Sequence, residues 1–158
     1  MPENQRVTRS FVGLGANLED PRWHIERAVE LLRAEDGVEV VAVSTLRETD
    51  PVGYEQQPRF LNGAAELRTT LSARELLERL LAIERSLGRV RGEGPRYGPR
   101  PIDLDLLLHG DEVVDEPGLQ VPHPRLHERR FALEPLAELD PAVEIPGRGP
   151  VQALLAGL

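Results

Sequence analysis

The sequence predicts an α+β domain built around an antiparallel sheet. Runs of apolar and β-branched residues, typical of strands, alternate with two amphipathic segments of helical period, and together they follow the order β-α-β-β-α-β. This is the ferredoxin-like arrangement, in which the helices pack on one face of the sheet. Residues beyond this core form a C-terminal extension. A length of 158 residues fits one domain, so we expect residues 1–158 to form a single domain.

Four segments are predicted to be the strands of this core. Each is rich in apolar or β-branched residues and is bounded by turn-forming residues. They cover residues 10–16 (SFVGLGA), 38–49 (VEVVAVSTLRET), 59–69 (RFLNGAAELRT) and 101–110 (PIDLDLLLHG). A loop with Pro and Gly is expected at 50–58, and a short strand, a proline-rich turn and a short helix follow the last strand. Residues 150–158 predict a final helical turn or two.

The two helices of the core are predicted from their capping residues and apolar stripes. The first covers 20–35, with Asp20 as N-cap and Pro21 in the first turn. Its apolar stripe comprises Ile25, Ala28, Val29 and Leu32. The second covers 72–88, where Ser72 and Glu75 match a capping box and Gly88 is a stop signal.

The segment GLGANL at 13–18 resembles the beginning of a dinucleotide fingerprint. The third glycine of that pattern is absent, because Leu18 stands in its place. The motif is therefore weak as a phosphate cradle, and we interpret it as a tight turn from a strand to a helix.

Charge and composition exclude several functional classes. The net charge of −8 argues against a general nucleic-acid binder, and no apolar run is long enough to span a membrane. The polar N-terminus does not resemble a signal peptide, and the chain has no cysteine, hence no disulfide or thiolate metal site. We therefore expect a cytoplasmic protein without nucleic-acid or membrane partners.

A cationic loop precedes two aspartates on a predicted strand. Residues 89–100 carry four arginines and one glutamate, a local charge of +3, and three glycines. The chain has no lysine, so every cationic contact to a phosphate must come from arginine. A flexible loop of this kind can close over a polyphosphate. The alternative is an ordinary solvated loop.

Asp103 and Asp105 are predicted to share one face of their strand, about 6.6 Å apart between Cα atoms. Paired carboxylates beside a cationic loop favour a Mg²⁺–phosphate site, since oxygen ligands suit Mg²⁺. The alternative is the solvated face of an edge strand. The residues expected to face the core are Ile102, Leu104, Leu106 and Leu108.

Histidines and phenylalanines elsewhere leave two interpretations open. His123 and His127 lie in the proline-rich region, where an isolated histidine is more often structural than functional. Phe60 and Phe131 belong either to the core or to a clamp around a flat ligand, and the residues alone do not choose.

The order and spacing of several short motifs resemble one enzyme family. The segment RYGPRPIDLDLL closely resembles the most distinctive stretch of the 6-hydroxymethyl-7,8-dihydropterin pyrophosphokinases of folate biosynthesis. The segments GLGANL, RETDPVG, FLNGAAEL, IERSLGRVR and VPHPRLHERRFALEPL are also similar to segments of that family, in the same order. The resemblance implies the same ferredoxin-like fold. It also implies transfer of the terminal pyrophosphate of ATP to the hydroxymethyl group of the reduced pterin, with release of AMP.

The resemblance implies a set of site residues. Two Mg²⁺ ions would be held by Asp103 and Asp105, and the catalytic set would add Arg89, Arg91 and Arg100. The residues implied for ATP are Glu84, Arg91, Arg96, Tyr97, Arg100, Leu106, His123 and Arg129. The residues implied for the pterin are Thr49, Asp50, Val52, Phe60, Asn62 and Phe131, the two phenylalanines sandwiching the ring. Departures from the common family residues occur at Ala16, Asp50, Phe60, Tyr97 and Pro124.

Two rival functions are weighed against this resemblance. A ferredoxin-like RNA-binding module should carry aromatic residues on its central strands and a basic sheet face, whereas only 4% of these residues are aromatic. A two-metal nucleotidyltransferase or phosphodiesterase fits the paired aspartates equally well, and its products would distinguish it. We expect a monomer that acts on small molecules.

Overall fold

The computed structural model describes residues 6–51, 56–89 and 101–158. Its main sheet has the strand order β2-β4-β1-β5, with β3 pairing to β4, and every pairing is antiparallel. These strands are β1 (Thr8–Ala16), β2 (Val38–Val43), β3 (Arg47–Thr49), β4 (Phe60–Thr69) and β5 (Asp103–His109). The core helices are α1 (Pro21–Arg33) and α2 (Ala73–Ser86). This order and pairing confirm the predicted ferredoxin-like core.

The C-terminal extension adds two short hairpins and two helices. The hairpins are formed by β6 (Val114–Glu116) with β7 (Leu119–Val121), and by β8 (Glu144–Ile145) with β9 (Gly149–Pro150). The helices are α3 (Arg130–Leu139) and α4 (Val151–Ala156), and a 3-10 turn at Leu126–Glu128 precedes α3.

Helix α1 begins with the predicted proline but without the predicted cap. Pro21 occupies the first turn, and the four residues of the expected apolar stripe are all buried. Asp20 stands at the N-cap position with φ of 54° and makes no side-chain cap hydrogen bond, so its predicted capping role is wrong. Its backbone carbonyl instead accepts a hydrogen bond from the N–H of His24, at 3.2 Å.

Helix α2 has the predicted capping box. The Ser72 hydroxyl accepts a hydrogen bond from the backbone N–H of Glu75 at 3.1 Å, and the Glu75 carboxylate accepts one from the backbone N–H of Ser72 at 2.9 Å. Two N–H groups that the helix itself leaves unpaired are thereby satisfied. Gly88 follows the helix with φ of 95°, a conformation that favours glycine at a helix end.

The single strand predicted over 38–49 is two strands, β2 and β3. Between them, the backbone N–H of Ser44 donates to the carbonyl of Ala64 at 2.9 Å, and the Ser44 hydroxyl accepts from the Ala64 N–H at 2.9 Å. The connection also passes close to Gly63, where a Cβ would lie 2.6 Å from a methyl group of Leu46. A side chain at position 63 would therefore displace this connection.

Helices pack against both faces of the main sheet. One core cluster fills the space between the sheet and the helices α1 and α2, and includes Leu14, Leu67 and Leu104. A second cluster, with Phe11 and residues of α3 and α4, covers the opposite face. The C-terminal extension therefore supplies a second helical layer to the ferredoxin-like core.

A β-bulge in the pairing of β1 with β5 changes which leucines face which core. The register shifts between Phe11 and Val12, opposite Leu106 and Leu108. Leu107 and Leu108 consequently both belong to the second cluster, whereas Leu104 and Leu106 belong to the first. The expectation that Leu108 shares a face with Leu104 and Leu106 is therefore wrong, because the bulge reverses the alternation.

Candidate active site

Three adjacent strands bring polar side chains and glycines to one face of the sheet. In the strand register, Gly15 of β1 lies between Asn62 of β4 and Asp103 of β5, and Gly13 lies opposite Asp105. Alternation places Asp103 and Asp105 on the same face of β5, as the sequence predicts. These five residues line a common cleft beneath the start of α3.

The two glycines of β1 form the floor of this cleft. A Cβ at position 15 would lie 3.0 Å from Asn62 Oδ1, whereas a Cβ at position 13 would make ordinary contact with Leu107 at 3.5 Å. The interpretation of GLGANL as a turn is wrong for its glycines, because β1 continues to Ala16. The floor role was missed, although glycine inside a buried strand is itself a signal of close approach.

Arg89 fixes one of the two aspartates. Its Nη1 lies 2.6 Å from Asp103 Oδ1, 3.0 Å from Glu84 Oε2 and 3.2 Å from the carbonyl of Ile102. The Glu84 carboxylate also accepts a hydrogen bond from the backbone N–H of Leu104 at 2.7 Å. Only 1% of Glu84 and 9% of Arg89 is exposed, so this ion-pair cluster is largely shielded from water.

The Arg89 cluster connects the end of α2 to the start of β5. Glu84 lies in the last turn of α2, Arg89 follows the helix, and Asp103 is the first residue of β5. A buried charge is tolerated when it is paired and hydrogen-bonded, as both acids are here. The cluster therefore sets the position of the Asp103 carboxylate at the edge of the cleft.

His123 lies beside the aspartates in an uncharged state. Burial, reinforced by the charges of Arg129 and Arg125 and opposed by that of Asp103, lowers the pKa of His123 to about 4. Its Nδ1 accepts a hydrogen bond from the backbone N–H of Arg125 at 3.2 Å, which leaves Nε2 as the protonated nitrogen of the neutral ring. His123 can therefore donate a hydrogen bond from Nε2 at neutral pH.

Two clefts meet at Asp105 and His123. The larger, of about 740 Å³, extends from these residues along α2 towards the β6–β7 hairpin and includes Leu106 in its lining. The smaller cleft extends the other way, over the glycine floor to Asn62, Arg129 and Phe131. Asp103 lines the smaller cleft. The two clefts therefore join beside the aspartates, and the smaller one has a volume of about 30 Å³.

The smaller cleft has an aromatic wall and a hydrogen-bonding wall. Phe131, at the start of α3, lines it, and the Arg129 guanidinium lies 5.5 Å from the centre of the Phe131 ring. On the opposite side, Asn62 Nδ2 donates a hydrogen bond to Thr49 Oγ1. Phe60 lies two residues from Asn62 and so shares its strand face, but Phe60 is not among the described residues that line the cleft.

The remaining site predictions fall into two groups. Asp50 lies away from both clefts, with an exposed carboxylate 3.1 Å from Arg59 Nε. The other group lies outside the described residues, as does the predicted closure of the cationic loop. It comprises Val52, Arg91, Arg96, Tyr97 and Arg100.

The donor atoms beside the cleft suit a magnesium ion shared with phosphates. Asp103 and Asp105 offer carboxylate oxygens on one face of β5. Among residues 6–51, 56–89 and 101–158, no group of three His, Cys, Asp or Glu side chains could hold a metal by itself. Mg²⁺ is commonly held by one or two carboxylates together with substrate phosphates and water. Two aspartates therefore fit such an ion.

The described helices include none with the length and apolar character needed to cross a membrane.

Comparison with known proteins identifies the family of the chain. The family model described as 7,8-dihydro-6-hydroxymethylpterin-pyrophosphokinase (HPPK) matches residues 11–141. A protein of Pseudomonas aeruginosa named 2-amino-4-hydroxy-6-hydroxymethyldihydropteridine pyrophosphokinase is 44% identical over 150 residues, which are 95% of this chain and 91% of the relative. A Bacillus subtilis protein of the same name is 47% identical over 85% of this chain and 80% of the relative.

The fold also matches solved structures. A crystal structure of Plasmodium falciparum HPPK-DHPS superposes with a TM-score of 0.78 at 14% sequence identity. The alignment covers 98% of this chain but 45% of that larger one. At this identity the match supports the fold alone, whereas the sequence relatives establish membership: the chain belongs to the 7,8-dihydro-6-hydroxymethylpterin-pyrophosphokinase family.

Proposed function

We propose that this protein transfers pyrophosphate from ATP to the hydroxymethyl group of 6-hydroxymethyl-7,8-dihydropterin and releases AMP, a step of folate biosynthesis. Family membership gives the reaction. One observation assigns this reaction to particular residues: two clefts meet at Asp105 and His123, and Asp103 lies beside them. Each substrate then occupies one cleft, and the reacting atoms meet beside the carboxylates.

ATP occupies the larger cleft in this proposal. Its triphosphate extends towards Asp103 and Asp105, where His123 offers a neutral N–H donor and Arg129 a positive charge. Leu106 contributes apolar surface. Arg91, Arg96, Tyr97 and Arg100 complete the phosphate site from the cationic loop, as the family resemblance implies.

Mg²⁺ is held by Asp103 and Asp105, with two ions expected from the family resemblance. When bound there, Mg²⁺ neutralises phosphate charge and polarises the phosphorus that is attacked. Arg89 limits the negative charge of the site, because it pairs with Asp103 on the side facing Glu84. Asp105 lies two residues after Asp103 on β5, so the two carboxylates are on the same face of the strand.

The reduced pterin occupies the smaller cleft, which opens from its volume of about 30 Å³ to admit the ring. Its flat ring stacks on Phe131, with Phe60 as the second aromatic neighbour, and its polar edge meets Asn62 and Thr49. Val52 and Asp50 are assigned to the same pocket by family resemblance. Gly15 supports this placement, since its lack of a side chain leaves room between Asn62 and Asp103.

The reaction is a displacement at the β-phosphorus. The pterin hydroxyl oxygen forms a bond to the β-phosphorus, the bond between that phosphorus and the α,β-bridging oxygen breaks, and AMP leaves with the electron pair. The hydroxyl proton passes to solvent. Alignment of the two substrates and neutralisation of phosphate charge by arginines supply the catalysis, so no covalent enzyme intermediate is needed.

Product analysis tests this function. Purified protein is incubated with ATP, Mg²⁺ and the reduced hydroxymethyl pterin, and nucleotides and pterins are separated by anion exchange. We expect AMP and pterin diphosphate in equal amounts, and neither when the pterin is omitted. ADP as the nucleotide product would indicate single phosphoryl transfer. Free pyrophosphate released with a nucleotidylated product would indicate a nucleotidyltransferase.

We further propose that the protein acts as a cytoplasmic monomer without nucleic-acid or membrane partners. The residues that line both clefts come from widely separated parts of one chain. Light scattering coupled to size exclusion tests this, and the expected mass is 17.6 kDa.

A further inference from the structure

A carboxylate at the end of α3 is bound to the connection between β2 and β3. Glu138 Oε2 accepts hydrogen bonds from the backbone N–H of Thr45 at 2.7 Å and from its hydroxyl at 3.0 Å. Glu138 Oε1 lies 2.6 Å from Arg47 Nη2. We call Thr45, Arg47 and Glu138 the α3 clamp. The Thr45 N–H, assisted by the Thr45 hydroxyl and by Arg47, holds the pKa of Glu138 below its ordinary value.

The α3 clamp connects the two walls of the smaller cleft. Arg47 begins β3, which continues to Thr49, and Arg47 pairs in register with Asn62. Glu138 lies seven residues after Phe131, so the two side chains project from the same side of α3. The clamp therefore holds the helix that carries Phe131 against the strands that carry Thr49 and Asn62.

Stability alone does not account for this arrangement. About a third of the Glu138 side chain and 38% of the Arg47 side chain are exposed, and ion pairs at such sites contribute little to folding. Moreover, Arg47 Nη1 is buried and finds no hydrogen-bond acceptor among the described residues. A buried unpaired donor opposes folding. The clamp is better explained by where it holds α3.

The connection that the clamp grips is itself fixed. Ser44 is hydrogen-bonded to the backbone of Ala64, and Leu46 packs closely over Gly63. Thr45, between them, is therefore a rigid point on the sheet. A bond from this point to Glu138 restrains the distance between α3 and β4.

We infer that Glu138 is a positioning residue for the pterin pocket, which sets the gap between Phe131 and the Asn62–Thr49 wall. The inference rests on the proposed function. Loss of the clamp lets α3 move away from β4, so the pterin loses simultaneous contact with both walls. ATP occupies the larger cleft, whose lining includes no residue of α3. Among its proposed contacts only Arg129, at the N-cap of α3, adjoins the helix, so ATP should bind nearly as before.

The test compares Glu138→Gln with Glu134→Gln, a variant one turn earlier on the same helix. Glu134 makes no ion pair with the described part of the chain. Steady-state kinetics with each substrate varied should show a rise of roughly fivefold in the pterin KM for Glu138→Gln, as expected for loss of a partly exposed charged contact. We expect kcat and the ATP KM to stay within about twofold, and Glu134→Gln to match the wild type.

A double-mutant cycle separates positioning from general destabilisation. Arg47→Met should raise the pterin KM less than Glu138→Gln, and the double variant should not exceed Glu138→Gln, because both act through one contact. Thr45→Val, which keeps the backbone N–H, is a milder variant if Glu138→Gln folds poorly, and its pterin KM should rise about twofold. Thermal melting is recorded for every variant.

Three results would overturn the inference. An unchanged pterin KM in folded Glu138→Gln would show that the clamp is merely structural. Equal rises in the KM of pterin and ATP would indicate a general distortion. Fully additive effects in the cycle would show that Arg47 and Glu138 act separately. Absence of AMP formation by the wild type would instead overturn the proposed function, and the inference with it.

Discussion

Arg89 links the C-terminal end of α2 to Asp103 in the candidate site. It joins Glu84, Asp103 and the Ile102 carbonyl in a cluster with little water access. The family resemblance implies Glu84 as an ATP contact, and in this structure its carboxylate accepts hydrogen bonds from Arg89 and from the Leu104 N–H. In this structure, Glu84 pairs with Arg89, which in turn pairs with Asp103 at the site.

Glu84→Gln should destabilise the protein strongly. The substitution removes a buried charge that pairs with Arg89, and leaves the Leu104 N–H with a weaker acceptor. Because Asp103 still pairs with Arg89, we expect a loss of about 2–3 kcal/mol in the free energy of unfolding, at the lower end for a broken buried pair. Urea denaturation measures it. Glu78→Gln, exposed on the same helix, should change stability by less than about 0.5 kcal/mol, and equal losses in both variants would contradict the assigned cluster.

His123 should make folding stability depend on pH. Its folded pKa of about 4 lies below the ordinary value of 6.5, so the unfolded chain binds the proton more tightly. The contribution of His123 to the free energy of unfolding is therefore full above pH 6.5. It is lost as the pH decreases towards 4, and the loss is up to about 3 kcal/mol. His123→Gln should flatten this slope. Burial also lowers the pKa of His109, so the difference between variant and wild type isolates the His123 contribution. An unchanged slope would contradict the assignment.

Gly15 and Gly13 offer a matched pair for the cleft floor. Gly15→Ala places a methyl group 3.0 Å from Asn62 Oδ1, and Gly13→Ala makes only ordinary contact with Leu107. We expect Gly15→Ala to weaken pterin affinity roughly tenfold, equivalent to about 1.4 kcal/mol, and Gly13→Ala to have a much smaller effect. Calorimetric titration of the pterin measures both. Equal effects would show that the space beside Asn62 has no special role.

At the scale of elements, sequence patterns among neighbouring residues predicted the buried face of one helix and the start of another. The capping box of α2 and the apolar stripe of α1 involve residues within a few positions of each other, and both are present. The break between β2 and β3 depends on the crossing over Gly63, and the reversal at Leu108 depends on pairing with β1. Such features are set by distant strands, so periodicity along one segment could not predict them.

Helix α3 forms one side of the proposed pterin pocket, with Phe131 in its first turn. Phe131→Leu keeps much of the apolar area but loses the stacking face, so pterin affinity should fall about tenfold, or about 1.4 kcal/mol. ATP affinity measured without pterin should change little. If calorimetry shows that the affinities for pterin and ATP fall equally, Phe131 is a core residue rather than one of two aromatic residues that sandwich the pterin ring.

At the scale of the whole molecule, the ferredoxin-like core and the C-terminal extension both contribute residues to the site. The core strands supply Asp103, Asp105, Asn62 and the glycine floor, and the extension supplies His123 and Phe131. The sequence predicted the core and the paired aspartates because each follows from a short pattern. The buried pairing of Arg89 with Glu84 and Asp103, and the Glu138 contact with Thr45, could not be predicted, since each joins elements that meet only in the folded chain.

The central claim is that pyrophosphate transfer occurs beside Asp103 and Asp105, and isotope transfer tests it most directly. Wild-type protein and the variants Asp103→Asn and Asp105→Asn are incubated with Mg²⁺, the reduced pterin and ATP labelled at the β-phosphate. We expect the label to appear in the pterin product and the AMP to be unlabelled, with each variant slowed by roughly a hundredfold or more because the metal and phosphate site is lost. Labelled nucleotide as the product, or near-normal rates in either variant at saturating Mg²⁺, would contradict the account.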